Sequence, residues 1–155
     1  MNSVYKEPNI YKQGISIKDV SDSIKWENVE PSKLGTYPSY LSDGNVTFKV
    51  CKTLKLIMIS AWQQYSAYQS GSVTVFNFNL DIPTVPFSSY TGPCLYYDAN
   101  NILRTAICRI FPSGSGVFSY KITVSLSGSD TTNEVTIGAV ILPILNNDFF
   151  DYLGI

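Results

Sequence analysis

Trp62, Gln64, Tyr65 and Tyr68 are the residues whose types and spacing best suit chemistry, and the chemistry they suit is recognition. They lie in Trp62-Gln63-Gln64-Tyr65-Ser66-Ala67-Tyr68-Gln69, where aromatic rings interleave with amide side chains. Sugars offer one apolar ring face and many hydroxyls. Aromatic rings stack on the first, and amides hydrogen-bond the second. A saccharide- or protein-contact surface at this segment is one reading. The other is structural: Trp62 ends a core strand and the tyrosines cover one end of the domain. Large aromatic side chains are usually mostly buried, which favours the structural reading.

Reaction chemistry is poorly provided for. The chain has no histidine, so a Ser-His-Asp triad cannot be assembled despite the abundant serine. From Gly44 onward the acids are sparse: Asp81, Asp98, Asp130, Glu134, Asp148 and Asp151. Most fall in expected turns, where an aspartate caps the local backbone, and a hydrolytic carboxylate pair is disfavoured. Calcium has one weak candidate, Ser129 to Glu134, which reads first as a hairpin loop. Ser113-Gly114-Ser115-Gly116 is followed by a strand, so it lacks the helix N-terminus of a phosphate cradle. Cys51, Cys94 and Cys108 are an odd set without close spacing, and no histidine supplies a fourth zinc ligand. Buried free thiols are the favoured reading. The chain is therefore expected to be no enzyme and to use no cofactor or metal.

Composition narrows the partners. Charged residues are 15% of the 155, against about 25% in ordinary globular chains. Net charge is −1 and the eleven basic residues are scattered, which disfavours nucleic acid. The longest apolar run, Leu54 to Ile59, is broken by Lys55, so no membrane partner is expected. The N-terminus lacks a secretory signal pattern, and synthesis in a cytoplasm is expected. Without such a signal, the sequon Asn45-Val46-Thr47 reads as chance.

The elements that must position these residues are strands. Residues 1–22 hold Pro8, Gly14 and few large aliphatics and read as an N-terminal arm, ordered only by a partner or a neighbouring subunit. Residues 23–155 read as one domain. Ile24–Val29 alternates as a first strand, and Pro31–Gly44 is a loop by its prolines and glycines. Val46, Phe48 and Val50 mark one face of the next strand; Leu54–Trp62 follows, apolar on both faces. Gln63–Gly71 reads as a loop, Val73–Leu80 as a strand, and Asp81–Pro93 carries too many prolines for a central strand. A hairpin turning at Asp98–Asn101 sets Cys94 opposite Thr105. Phe118, Tyr120, Ile122, Val124 and Leu126 face inward, as do Val135, Ile137, Ala139 and Ile141. Residues 146–155 suggest one helical turn started near Asp148. About eight short strands at hairpin spacing imply an all-β fold, an antiparallel β-sandwich.

The order of these features resembles a known group. A Trp-containing opening strand (Trp26) leads to Gly-x-Val-x-Phe-Lys (Gly44–Lys49), then a proline-rich crossing (Ile82-Pro83 to Gly92-Pro93), a polar hairpin, and Gly-Val-x-x-Tyr-x-Ile (Gly116–Ile122). This order, over residues 24–145, resembles the β-sandwich domains of tail-tip and baseplate proteins, including receptor-binding proteins, of long-tailed phages of Gram-positive bacteria. The resemblance implies a virion structural protein, made in the host cytoplasm and built into the distal tail beside other tail and baseplate proteins. Relatives often trimerise, and some bind host cell-wall saccharides through a head domain. No long stem is present here, so saccharide binding is carried to no residue. The expectation is a non-catalytic interaction module. The alternative is a carbohydrate-binding adhesin domain, which exposed, coplanar Trp62, Tyr65 and Tyr68 would favour.

Overall fold

Phe48 and Phe76 lie on strands near opposite ends of the sheet, yet their ring centroids are 5.1 Å apart, because the sheet folds over on itself. The computed structural model describes residues 24–112 and 120–155. The arm expected at 1–22, the turn at 113–116 and Phe118 lie outside the described residues. Among the described residues nine strands form: β1 (Glu27–Val29), β2 (Gly35–Thr36), β3 (Leu41–Cys51), β4 (Leu56–Ser70), β5 (Ser72–Phe78), β6 (Tyr90–Asp98), β7 (Leu103–Pro112), β8 (Tyr120–Ser125) and β9 (Thr131–Pro143). Among the described residues there are two short helices, α1 (Pro31–Leu34) between the first two strands and α2 (Asp148–Leu153) after the last. The strands pair in the order β1-β3-β4-β9-β6-β7-β8-β5-β2, antiparallel throughout. The all-β, antiparallel, two-layered expectation holds, and both layers belong to one hydrogen-bonded sheet. No helix among the described residues is long and apolar enough to cross a membrane.

The interior explains the curl. Inward side chains from both ends of the sheet merge in one apolar cluster that includes Phe48, Ile59, Phe76, Ile122 and Val135. Polar bonds also tie the layers: Tyr40 Oη donates to the Thr74 carbonyl at 3.0 Å, and Tyr120 Oη to the Phe87 carbonyl at 2.9 Å. The open end is closed by α2, which buries Phe149, Phe150 and Leu153 and stops at Gly154, held in the left-handed region (φ 72°).

Residues 81–93 are not wholly outside the sheet as expected: Tyr90–Pro93 begin the central strand β6, and Pro93 is tolerated there because the β9 ladder stops at Leu95. Three further local expectations change, each for a physical reason. Pro31–Gly44 is only partly loop. Pro31 sits at the first helical position, where its missing N–H costs nothing, and α1 drives Leu34 fully into the core. The Asp98 turn holds one residue more than the sequence suggested. The Asp98 carboxylate accepts the N–H groups of Asn100 and Ile102, both at 2.9 Å, so Ile102 stays in the turn and Tyr97 pairs with Leu103. That one-residue shift sets Cys94 opposite Ala106, not Thr105, and makes Cys108 its diagonal neighbour on the inner face. In β9 an extra residue opposite Ser60 forms a bulge. The inward set runs Val135 and Ile137, then Val140 and Leu142, and it turns Ala139 and Ile141 outward.

The Asp98 turn supports a pH prediction. Backbone donation from Ile102, reinforced by the Arg104 guanidinium and the Asn100 N–H, holds its carboxyl below the ordinary 3.8, although burial opposes this. The folded value is the lower one. The stabilisation is therefore fully present above the unfolded value and is lost as pH falls through the folded one. Melting curves between pH 6 and pH 2 should show Asp98→Asn starting several degrees below the wild type, with the gap closing as acid protonates Asp98. A gap that persists at the lowest pH would remove the carboxylate from this account.

Candidate interaction surface

β4 carries the aromatic–amide segment as a strand, not a loop, and that decides what its side chains can do. Strand alternation sends Trp62 and Gln64 outward and Gln63 and Tyr65 inward. Tyr65 is 3% exposed, its ring edge-on to Tyr40 at 5.4 Å, and its hydroxyl donates to Gln63 Oε1 at 3.1 Å. Burial pushes that hydroxyl's pKa well above the ordinary tyrosine value. Trp62 is 40% exposed and lies flat enough on the sheet for its Nε1–H to donate to Glu134 Oε1 at 2.9 Å. Tyr68 is exposed near the far end of β4, and Gln64 is half-buried. The four residues therefore do not form one platform: Tyr65 belongs to the core. The close approach of β3 to this segment needs Gly44, paired with Gln63, whose φ of 94° is left-handed and where a Cβ would collide with the Trp62 backbone oxygen.

The outward face continues across four adjacent strands. Trp62 on β4 pairs with Thr136 on β9, Thr136 with Leu95 on β6, and Leu95 with Thr105 on β7. One row further, Gln64, Glu134, Tyr97 and Leu103 are aligned in the same way. Leu95 (42% exposed), Leu103 (51%) and Ile107 (45%) thus stand with Trp62 and Tyr97 on one sheet face, interspersed with Gln64, Glu134, Thr136 and Thr105. Only scattered single apolar residues are usual on the surface of a monomer; a contiguous set marks a contact site.

A groove runs through this face. The β6–β9 ladder stops at the Leu95–Thr136 pair, because Pro93 has no N–H to continue it. Gly138 leaves the facing wall without a side chain. The strands part there into a cavity of about 340 Å³ lined by Pro93, Cys94, Leu95, Thr136 and Gly138. Cys94 forms part of the floor as a small hydrophobe. Burial pushes its thiol pKa up to about 11 and that of Cys108 to about 12, so neither is a thiolate at neutral pH. An apolar side chain from outside fits this groove; a nucleophilic reaction does not.

Sequence reasoning missed Leu95, Leu103 and Ile107. Their strands carry Cys94, Tyr96, Ala106 and Cys108 on the other face, so both faces read as apolar and alternation gives no inside or outside. The missed signal is the number of large aliphatics in a hairpin whose partner strands already fill the core.

A second hollow of about 560 Å³ lies where β1 ends against β3. Asn28, Glu30, Ser32, Asn45 and Thr47 line it with Tyr37, whose hydroxyl accepts the Val46 N–H at 3.1 Å and caps the exposed edge of β3.

Fold and surface together define a class: an all-β domain with a curled antiparallel sheet and an apolar, grooved outer face. Among solved structures the chain is similar to the Ad16 fiber knob, from an adenovirus. The two share 13% identity with a TM-score of 0.42, over 77% of this chain and 95% of that one. No family model and no curated protein matches the chain.

Proposed function

We propose that this chain is a non-catalytic structural protein of a phage virion, placed in the distal tail or baseplate, that works by contact with other tail proteins. The observation that carries the reading is the uncovered apolar face of β4, β9, β6 and β7. Leaving Trp62, Leu95, Leu103 and Ile107 in water forgoes about 25 cal/mol for each Å² of apolar surface that a partner would cover. The order of sequence features along residues 24–145 supports the tail as its place. Antibody against the chain, applied to intact particles and viewed by electron microscopy, is expected to label the distal tail. Purified particles that carry no label and no trace of the chain by mass spectrometry would overturn the reading.

One observation favours a second reading, recognition of a host cell-wall saccharide. The hollow beside β1 gathers two amides and two hydroxyl side chains that make no hydrogen bond among the described residues, next to the Tyr37 ring. Uncommitted amides and hydroxyls beside an aromatic suit a neutral sugar. Under this reading Asn28→Ala with Asn45→Ala abolishes calorimetric binding of wall-derived oligosaccharides, while Trp62→Ala leaves it intact. No heat from the wild-type protein sinks it.

A further inference from the structure

The grooved face has charge at its two ends, and the arrangement is self-complementary. Glu134 marks one end, level with Tyr97 and Leu103. Arg109 marks the other, level with Thr91 and Thr123; it is exposed and makes no ion pair among the described residues. Tyr97 and Thr91 are six residues apart on β6, so the two charges stand about 20 Å apart along the strands. Between them lie Pro93, Leu95 and Ile107 and the groove. An acid, an apolar centre and a base in that order match a second copy turned end for end.

We propose that the face of β4, β9, β6 and β7 binds a second copy of this chain, related by a two-fold axis, with Glu134 of each copy paired to Arg109 of the other. The proposal rests on the contact reading above and names the partner. The axis lies in the plane of contact and crosses the Glu134–Arg109 line at its midpoint and at right angles. That operation exchanges the charged ends, forms two ion pairs, and sets Leu95 of one copy over the apolar Pro93–Ile107 pair of the other, beside the groove. An axis along the strands keeps like ends together and forms neither pair. Four strands at about 4.8 Å spacing and about eight residues at about 3.4 Å each give a face of roughly 19 by 27 Å, about 510 Å² in projection. That is smaller than the roughly 800 Å² each partner buries in a standard interface and matches a contact at the small end of the range. A net charge of −1 leaves little long-range repulsion against self-association. A two-fold contact is isologous: the same patch serves both copies, so each substitution acts twice.

Sedimentation velocity of the full chain over a concentration series tests this, with circular dichroism to establish that each variant is folded. The wild type is expected to sediment as a dimer. Arg109→Glu and Glu134→Arg should each weaken dimerisation by about tenfold or more, and the combined reversal should restore most of it. Leu95→Glu should give a folded monomer, and Asp81→Lys, away from the face, should change nothing. Because Glu134→Arg also removes the acceptor of the Trp62 indole, Thr91→Glu serves as a second test at the other end: its carboxylate competes for Arg109 and faces Glu134 of the other copy, and it should weaken the dimer without unfolding the chain. A wild-type monomer at about 100 μM overturns the proposal, as does a trimer. So does a double reversal no better than either single one. A monomer that still labels at the distal tail removes the second copy as partner and leaves the contact reading standing; a monomer absent from particles removes both.

Discussion

Phe87→Ala is expected to lower the unfolding free energy by about 3–5 kcal/mol, measured by urea denaturation at neutral pH. The residue lies in the proline-containing crossing between β5 and β6, a segment with almost no ladder of its own; Phe87 makes a single isolated bridge, to Ile144. Yet its side chain is fully buried. Its ring meets Phe78 at 5.4 Å, Tyr120 at 4.7 Å and Phe149 at 5.8 Å, joining β5, β8 and α2. Its carbonyl also accepts the Tyr120 hydroxyl. Removing the ring leaves a cavity where three elements converge, and none can close it without moving a strand. A domain of this size has roughly 5–15 kcal/mol in total, so the variant should sit near its folding threshold at 37 °C. A loss under 1 kcal/mol would mean the crossing is held by its backbone and that Phe87 packs only against mobile neighbours.

That crossing also shows where the sequence was legible and where it was not. The prolines of residues 81–93 keep residues 81–89 out of the sheet's ladders, because proline cannot donate to one, but they do not exclude Tyr90–Pro93, which open the central strand β6 and pair with Ile107–Ile110 of β7. Nothing in their spacing marks Phe87 as the point where the end of the domain is fastened, since its partners come from Phe78, Tyr120 and Phe149, far along the chain. Alternation placed Phe48, Ile122, Val124, Val135 and Ile137 inside, as the structure does. It failed from Gly138, because a bulge adds one residue and period-two reasoning has no memory of an insertion. The same limit applies at Asp98, where a side-chain acceptor, not a turn length, fixes the register. At the candidate surface, Trp62 and Tyr68 were found by type. The larger face was not, because neighbourhood across β4, β9, β6 and β7 is a property of pairing order. Of those neighbours only β6 and β7 form a hairpin; β9 pairs with β4 and β6 from far along the chain, where no local pattern points to it.

The second large effect falls on Gln63, between the two readings of its segment. It is fully buried, donates from Nε2 to the Val75 carbonyl at 2.9 Å across the layers, and accepts the Tyr65 hydroxyl at 3.1 Å. Gln63→Leu keeps the volume but leaves a carbonyl and a hydroxyl buried without partners, each costing about 1–3 kcal/mol. The expected loss is therefore about 2–5 kcal/mol in the same urea measurement. Tyr65→Phe beside it removes one of the stranded groups, so the double variant should recover part of the loss, a coupling that independent sites would not show. Trp62→Ala, one residue away but outward, should cost less than about 1 kcal/mol while changing whatever the outer face contacts. The contrast separates core from surface between two consecutive residues. Equal destabilisation by Gln63→Leu and Trp62→Ala would mean that the indole is part of the packed interior, and the apolar face would lose its aromatic edge as a contact surface.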